Sequence, residues 1–280
     1  MEKGKKAKKE SNNEPSSLYH YTTSDVITIL FNAIINDNYT ENQIPMLKFH
    51  ASEVHYMNDR NENGLILNNL FLQSKNLQNK FASVRSKLHK VFVLSLAKSR
   101  DCLPMWLIYG DNRSGVALRF DFKKIKKHFV TENELKGNDF NDTEQIIKCN
   151  YKTKAEINIC AKEFRDCFKE AIKNDLNEND LIDTINNIQV KATSIKNKYF
   201  EYESEYRLLK QTKEILFKNG KYGITMYQTI DIPLRALEEI IIGPSAYQDI
   251  TKESLINLST IIEQKFKIKI NIKISSINIK

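Results

Sequence analysis

Apolar and polar positions along this chain fall into short strand-like runs separated by helical ones. Leu18-Tyr19-His20-Tyr21-Thr22 is a β-prone run. Thr23 or Ser24 then caps a helix carrying Val26, Ile27, Leu30, Ile34 and Ile35 at helical spacing. Met46 to His50 predicts a strand, and Asp59 to about Gln78 a helix with an imperfect apolar face. Val91 to Leu96 is a short continuous apolar run, the pattern of a buried strand. Pro104 starts a short helix with Met105, Trp106 and Tyr109. Gly115 to Asp121 predicts another strand, the polar stretch 131–144 a loop, and Ile146 to Tyr151 a strand.

Residues 153–198 form a helical insertion of two stretches parted near Asn177, with a stripe of Phe164, Phe168 and Ile172 in the first. Strand character returns at Glu205 to Gln211. Asn219-Gly220 predicts the turn of a hairpin between Ile215 to Phe217 and Tyr222 to Thr229. Leu237 to Ile242 is a strand closed by Gly243-Pro244, followed by a helix over about 248–264. At the end, Phe266, Ile268, Ile270, Ile272 and Ile274 alternate with lysines and an asparagine, a period of two with one basic face. The sum is an α+β chain with mixed or antiparallel pairing: a basic disordered arm over 1–17, then a single domain over 18–280.

Composition changes this picture in one respect. The 280 residues carry a net charge of +8. Residues 1–9 hold +4 and residues 265–280 hold +5, which leaves 10–264 at −1. The basic character lies at the ends, so net charge alone argues poorly for a nucleic-acid-binding body. No stretch approaches the ~18 apolar residues of a membrane span, and Met1 to Asn13 lacks the apolar core of a secretory signal. Cys102, Cys149, Cys160 and Cys167 fit no common zinc spacing, which predicts reduced thiols in a cytoplasm and no metal. The eight glycines build no dinucleotide-binding fingerprint or P-loop.

Several residues could carry chemistry, each with a plainer alternative. Glu203 and Glu205 stand at i and i+2, on one face of a strand, with Arg207 next along it. That pattern is either a solvated charge ladder or an acid pair whose mutual repulsion raises pKa values against the pull of Arg207. His20 reads as a core or capping histidine, or as a ligand-binding one. Trp106 and Tyr109 are either core aromatics or a stacking platform. Ser95 is either a hydrogen-bonded strand residue or one facing a cleft. Asn58-Asp59-x-x-Glu62 is either a helix start or part of a site.

The order of these elements is more informative. Leu18-Tyr19-His20-Tyr21-Thr22, Asn58-Asp59-x-x-Glu62, Met105-Trp106-x-x-Tyr109-Gly110, Gly115-Val116-Ala117-Leu118-x-Phe120, Glu203-x-Glu205-Tyr206-Arg207 and Ile240-Ile241-Ile242-Gly243-Pro244 resemble a large bacterial domain family of unknown function, often encoded near phage-defence genes. The resemblance spans about residues 18–245. His20-x-Thr22 with the helix after it, Val93-Leu94-Ser95 with Pro104-Met105, and Tyr202 to Leu208 also resemble ADP-ribosyltransferases of the His–Tyr–Glu clade. The chain departs from that clade in having Tyr21 after the first histidine and no obvious second-position tyrosine, a place Ser95 or Tyr109 could take.

This resemblance implies a split β core of ADP-ribosyltransferase type and NAD as the cofactor. It implies Glu205 near the ribose, Glu203 orienting the acceptor or taking its proton, and His20 on the adenine-side ribose. It further implies Tyr21, Thr22 and Ser95 among the cofactor-binding residues, with Thr22 supporting that strand, Trp106 or Tyr109 stacking on nicotinamide, and Arg207 holding a carboxylate or pairing with pyrophosphate. The expected activity is mono-ADP-ribosyl transfer by a toxic antiphage effector to RNA, DNA or protein, with a possible antitoxin partner and no membrane. The rivals are a non-catalytic antitoxin or sensor that binds a nucleotide or partner, and a metal-dependent nuclease.

Overall fold

The computed structural model describes residues 14–40, 43–57, 75–131, 144–174, 176–220 and 223–277. The strands in chain order are β1 (Ser17–Thr22), β2 (Met46–Glu53), β3 (Lys90–Ala97), β4 (Val116–Asp121), β5 (Val130–Thr131), β6 (Glu144–Lys148), β7 (Asn150–Lys152), β8 (Ile195–Asn197), β9 (Glu205–Thr212), β10 (Leu216–Gly220), β11 (Gly223–Pro233), β12 (Leu237–Ile242) and β13 (Asn271–Ile274). The helices are α1 (Ser24–Asn36), α2 (Lys75–Val84), α3 (Leu103–Ile108), α4 (Phe122–Lys126), α5 (Lys154–Lys173), α6 (Glu178–Thr193) and α7 (Gln248–Phe266). The fold is α+β, with a largely antiparallel mixed sheet.

The main sheet runs β10-β11-β2-β3-β1-β4-β12-β13, with β9 added to β3 and β6 and β5 beyond it. Among the described residues only β5–β6 and β12–β13 are parallel within it, and β7–β8 form a separate parallel pair. One strand decides where a site can form. Along one edge β3 pairs with β9 over its whole length, from Lys90↔Thr212 to Ala97↔Glu205. Along the other edge it pairs with β2 only at Phe92 and Val93, and with β1 only at Ala97. Leu94, Ser95 and Leu96 therefore face no strand there, and the sheet splits between β1 and β2.

The main core lies on the inner face of this curved sheet. Leu18, Phe49, Phe92, Leu118, Leu208, Ile230 and Ile240 meet Phe31 and Ile34 of α1 and Ile262 of α7 there. A second core joins α5 and α6 through Phe168, Leu181, Ile185 and Ile188, with Val84 and Leu88 packed on it. Three of the longer helices, α1, α5 and α6, start on a side chain that takes up an otherwise unpaired N–H group. Thr23 accepts from Val26 N in α1, Thr153 and Glu156 form a capping box on α5, and Asn177 accepts from Asp180 N in α6.

Four sequence expectations differ from the structure. Ile146 to Tyr151 is not one strand: Cys149 N–H turns to Glu205 O and Asn150 N–H to Ser194 O, so β6 and β7 join different sheets. Asn219 and Gly220 lie inside β10, and the hairpin closes one pair later at Gly220↔Gly223, so its turn residues fall outside the described residues. The final alternation is strand only over Asn271–Ile274, because α7 continues to Phe266 and ends on Lys267 in the left-handed region (φ 59°). Order begins before residue 18: Glu14 pairs with Lys126 at 2.6 Å, and Ser17 is already in register with Asp121. Residues 1–13 of the expected arm, Asn58-Asp59-x-x-Glu62 with residues 59–74 of the expected helix, and residues 132–143 of the expected loop lie outside the described residues.

Among the described residues no helix is long and apolar enough to cross a membrane. Cys102, Cys149, Cys160 and Cys167 are free thiols.

Candidate active site

A cavity of about 330 Å³ opens where β3 loses its strand partner. His20 of β1, His50 and Ser52 of β2, and Val93 to Ala97 of β3 line it. Met105, Ile108 and Tyr109 from α3 and its end, Phe200 from the turn after β8, and Lys196, Glu203, Glu205 and Arg207 complete it. That volume suits a nucleoside-sized group and sits at the lower end of ligand clefts, typically ~300–1,000 Å³.

His20 occupies the split. Its Nδ1 lies 3.0 Å from the Ser95 carbonyl, on the stretch of β3 that has no ladder partner. A carbonyl can only accept, so Nδ1 carries the proton. Burial pushes the imidazole below its ordinary value, against the pull of that carbonyl, which keeps the ring neutral. Neutral imidazole with Nδ1 protonated leaves Nε2 as an acceptor, suited to a ligand hydroxyl. The ring also packs edge-on against Phe49 at 5.1 Å. Long-range proton–nitrogen NMR is expected to show His20 as the Nδ1–H tautomer, uncharged at pH 7. An imidazolium or an Nε2–H form at that pH would remove the acceptor.

The acid pair is built differently from the expected strand ladder. Glu205 opens β9, but Glu203 ends a 3-10 turn over Lys198–Glu203, and Ser204 between them is left-handed (φ 45°). The two carboxylates still converge, because both bind the ammonium of Lys196. Lys196 comes from β8, and its Nζ lies 2.8 Å from Glu205 Oε2. Arg207 adds a fork: Nε donates to Glu205 Oε1 and Nη2 to Oε2, each at 3.0 Å, while Nη1 donates to Thr193 O. The Cys149 thiol donates to Glu205 Oε2 at 3.6 Å. Glu203 Oε1 accepts from the Tyr109 hydroxyl at 3.1 Å. All four charged groups are almost fully buried, Glu203 at 2% and Arg207 at 1% exposure.

This arrangement drives the two carboxyls apart. Burial raises both. For Glu205 the Arg207 guanidinium and the Lys196 ammonium more than offset that and hold it down to about 2. Glu203 has only Lys196 and Tyr109 against burial and the neighbouring Glu205 charge, and it ends above its ordinary value. Burial likewise pushes the Tyr109 hydroxyl and the Cys149 thiol up, while the two carboxylates hold Lys196 protonated against its burial. A low and a raised carboxyl side by side are the usual means of giving one acid a fixed charge and the other a mobile proton.

The cleft thus gathers His20, Tyr21, Ser95, Tyr109, Glu203, Glu205 and Arg207. Two expected residues stand apart. Trp106 is fully buried, its indole N–H donates to Asp101 Oδ1 at 2.7 Å, and Tyr21 meets its ring edge-on at 4.8 Å. It therefore cannot stack on a ligand, and of the two expected aromatics only Tyr109 reaches the cavity. Thr22 is buried on β1 away from the cavity wall. Two residues keep only part of their expected roles. The Tyr21 hydroxyl is spent on the loop after β3, donating to Ser99 O at 2.8 Å and accepting from Cys102 N. Arg207 holds a carboxylate: Nε and Nη2 grip Glu205 while Nη1 donates to Thr193 O.

Sequence reasoning missed Lys196, which it placed at the end of the helical insertion. It also missed His50, Ser52 and Phe200. The available signal for Lys196 was indirect: two buried acids need more positive charge than one arginine supplies.

A family model described as a protein of unknown function (DUF2971) matches residues 105–208, less than half of the chain. The match runs from Met105 through Tyr109, Lys196, Glu203, Glu205 and Arg207, and excludes His20 and Ser95. It supports membership of part of the chain in an uncharacterised domain family. No curated protein and no solved structure matches the chain.

Proposed function

We propose that the chain is an NAD⁺-dependent mono-ADP-ribosyltransferase. One observation carries this reading: a neutral histidine acceptor, a tyrosine and an acid pair with divergent pKa values surround a single cleft at the split of the sheet. In the reaction, the bond between ribose C1′ and the nicotinamide nitrogen breaks, and its electron pair neutralises the positively charged ring. Nicotinamide leaves neutral and needs no proton. Positive charge develops on the ribosyl group, as in glycoside cleavage. Glu205, ionised throughout, supplies a fixed negative field for it. The acceptor atom bonds to C1′, and its proton passes to Glu203. His20 Nε2 accepts from a ribose hydroxyl, and Tyr109 lies against the nicotinamide.

The purified chain, given NAD⁺ labelled in the adenylate and a cell extract, is expected to release nicotinamide and transfer the label. His20→Ala is expected to weaken NAD⁺ binding. No nicotinamide release, in the presence or absence of extract, would reject the transferase. The antiphage-effector role rests on the motif resemblance. It predicts that expression arrests growth and that a cleft variant relieves the arrest.

One observation favours a second reading. Both Glu205 oxygens are already engaged by Arg207 and Lys196, as befits a scaffold residue. A nucleotide-binding sensor module would use the same cleft without turnover. Calorimetry showing NAD⁺ binding with no nicotinamide release would select it.

A further inference from the structure

Outside the cleft, the face of β2, β11 and β10 that carries His50 is partly exposed: Lys48 and His50 are exposed, and Lys218, Tyr227 and Thr229 are half-buried. His50 and Ser52 belong both to this face and to the cavity wall. His50 stands in register with Thr229, and Ser52 with Tyr227. The His50 and Tyr227 rings lie 4.3 Å apart, tilted by 45°, and Lys218 Nζ sits 5.5 Å over the Tyr227 ring. Lys48, two residues before His50 on the same face, is exposed, and Asp231 stands opposite it. Burial lowers the His50 imidazole, and the nearby Lys218 ammonium adds to that, so the ring is neutral beside its cation.

We propose that this face is a shelf for single-stranded nucleic acid, which presents the acceptor group to the cleft. The chemistry is specific. An exposed imidazole beside a tyrosine on a sheet face offers π surface to a base whatever its sequence, and lysines at either side meet the phosphates. An open sheet face leaves both ends of a strand free to run on, which a closed mononucleotide pocket does not. The shelf joins the cavity through His50 and Ser52, so a base lying on it sets the neighbouring sugar or base at the cleft mouth. The inference rests on the transferase reading for what happens to the strand, but not for its binding.

The test is fluorescence anisotropy with labelled single-stranded RNA and DNA of about 12 nucleotides, on the full chain without NAD⁺, over a range of salt. His50→Ala and Tyr227→Ala are each expected to weaken binding roughly fivefold to a hundredfold, the range for loss of one stacked base. Tyr227→Phe keeps the ring and is expected to bind as wild type does, which separates stacking from misfolding. Lys48→Gln and Lys218→Gln are each expected to reduce the salt slope by about 0.7. Equal binding by wild type and all four weakening variants, or displacement of the strand by ADP-ribose at its own binding concentration, would overturn the shelf; the latter would give the face to the dinucleotide. Nicotinamide release by the same proteins reads the cleft separately. Strand binding without release leaves the shelf standing and removes the transferase; release without strand binding does the reverse.

Discussion

Lys196→Met is expected to destabilise the fold by about 3–5 kcal/mol, the usual consequence of leaving a buried charge without its partner. For a chain of this size that lowers the melting temperature on the order of 10 °C, measurable by calorimetry at pH 7. The reason is the arithmetic of the cluster: Glu203 and Glu205 face Lys196 and Arg207, and the charges balance only with both cations present. With Lys196 gone, Glu205 keeps its arginine fork, and Glu203 keeps only the Tyr109 hydroxyl. Adding Glu203→Gln to Lys196→Met is therefore expected to restore most of the loss. A shift of under about 1 kcal/mol in the single variant would mean that the pair behaves as a solvated surface bridge.

The same variant moves the acid limb of stability. Glu205 is held at about 2, against an ordinary 4.5, so it binds a proton less readily in the folded state than in the unfolded one. Its contribution is complete above pH 4.5 and is lost as the pH falls toward 2. Glu203 acts in the opposite sense. Its raised carboxyl favours the folded state below 4.5, and that preference disappears as the pH rises through its folded value. Lys196→Met removes positive charge from Glu205 and is expected to begin acid unfolding at a higher pH than in wild type.

Much of the fold was legible because its elements carry local signals. The apolar run of β3, the cap of α1 and the helical stripe of α5 need only their own residues. The errors sit where a distant strand decides. Cys149 breaks the expected strand over 146–151 because its N–H binds Glu205 O, which no local pattern records. Asn219-Gly220 is a sound turn signal, yet the ladder continues through both residues. Within the site, His20 and the acids stood out as polar groups in β-prone runs. Trp106 and Tyr109 share one helical spacing but have opposite fates, decided by distant contacts: Trp106 with Asp101 and Tyr21, and Tyr109 with Glu203. Lys196 looked like one more lysine at the end of a charged insertion. Its role comes from three residues of β8 that lie beside β7 and deliver the ammonium to both acids.

Glu203→Gln is the change expected to damage chemistry most while sparing the fold. The amide has the shape of the acid, and its oxygen can still accept from Lys196 or Tyr109, so melting should move far less than in Lys196→Met. What it cannot do is take a proton. Transfer to the acceptor is expected to fall by about 10²–10⁴-fold, the usual worth of a positioned base, with NAD⁺ affinity little changed. Glu205→Gln should look different: it strips Arg207 and Lys196 of the carboxylate they share, so stability and transfer should fall together. The pH profile separates the two acids further. Since burial raises Glu203, wild-type transfer should climb with pH through an apparent value above 4.5, as the base becomes ionised. Glu205, ionised down to about pH 2, cannot produce that limb. An acid limb at the same position in Glu203→Gln, or undiminished transfer by that variant, would assign the proton to some other group and return Glu203 to a purely structural place beside Lys196.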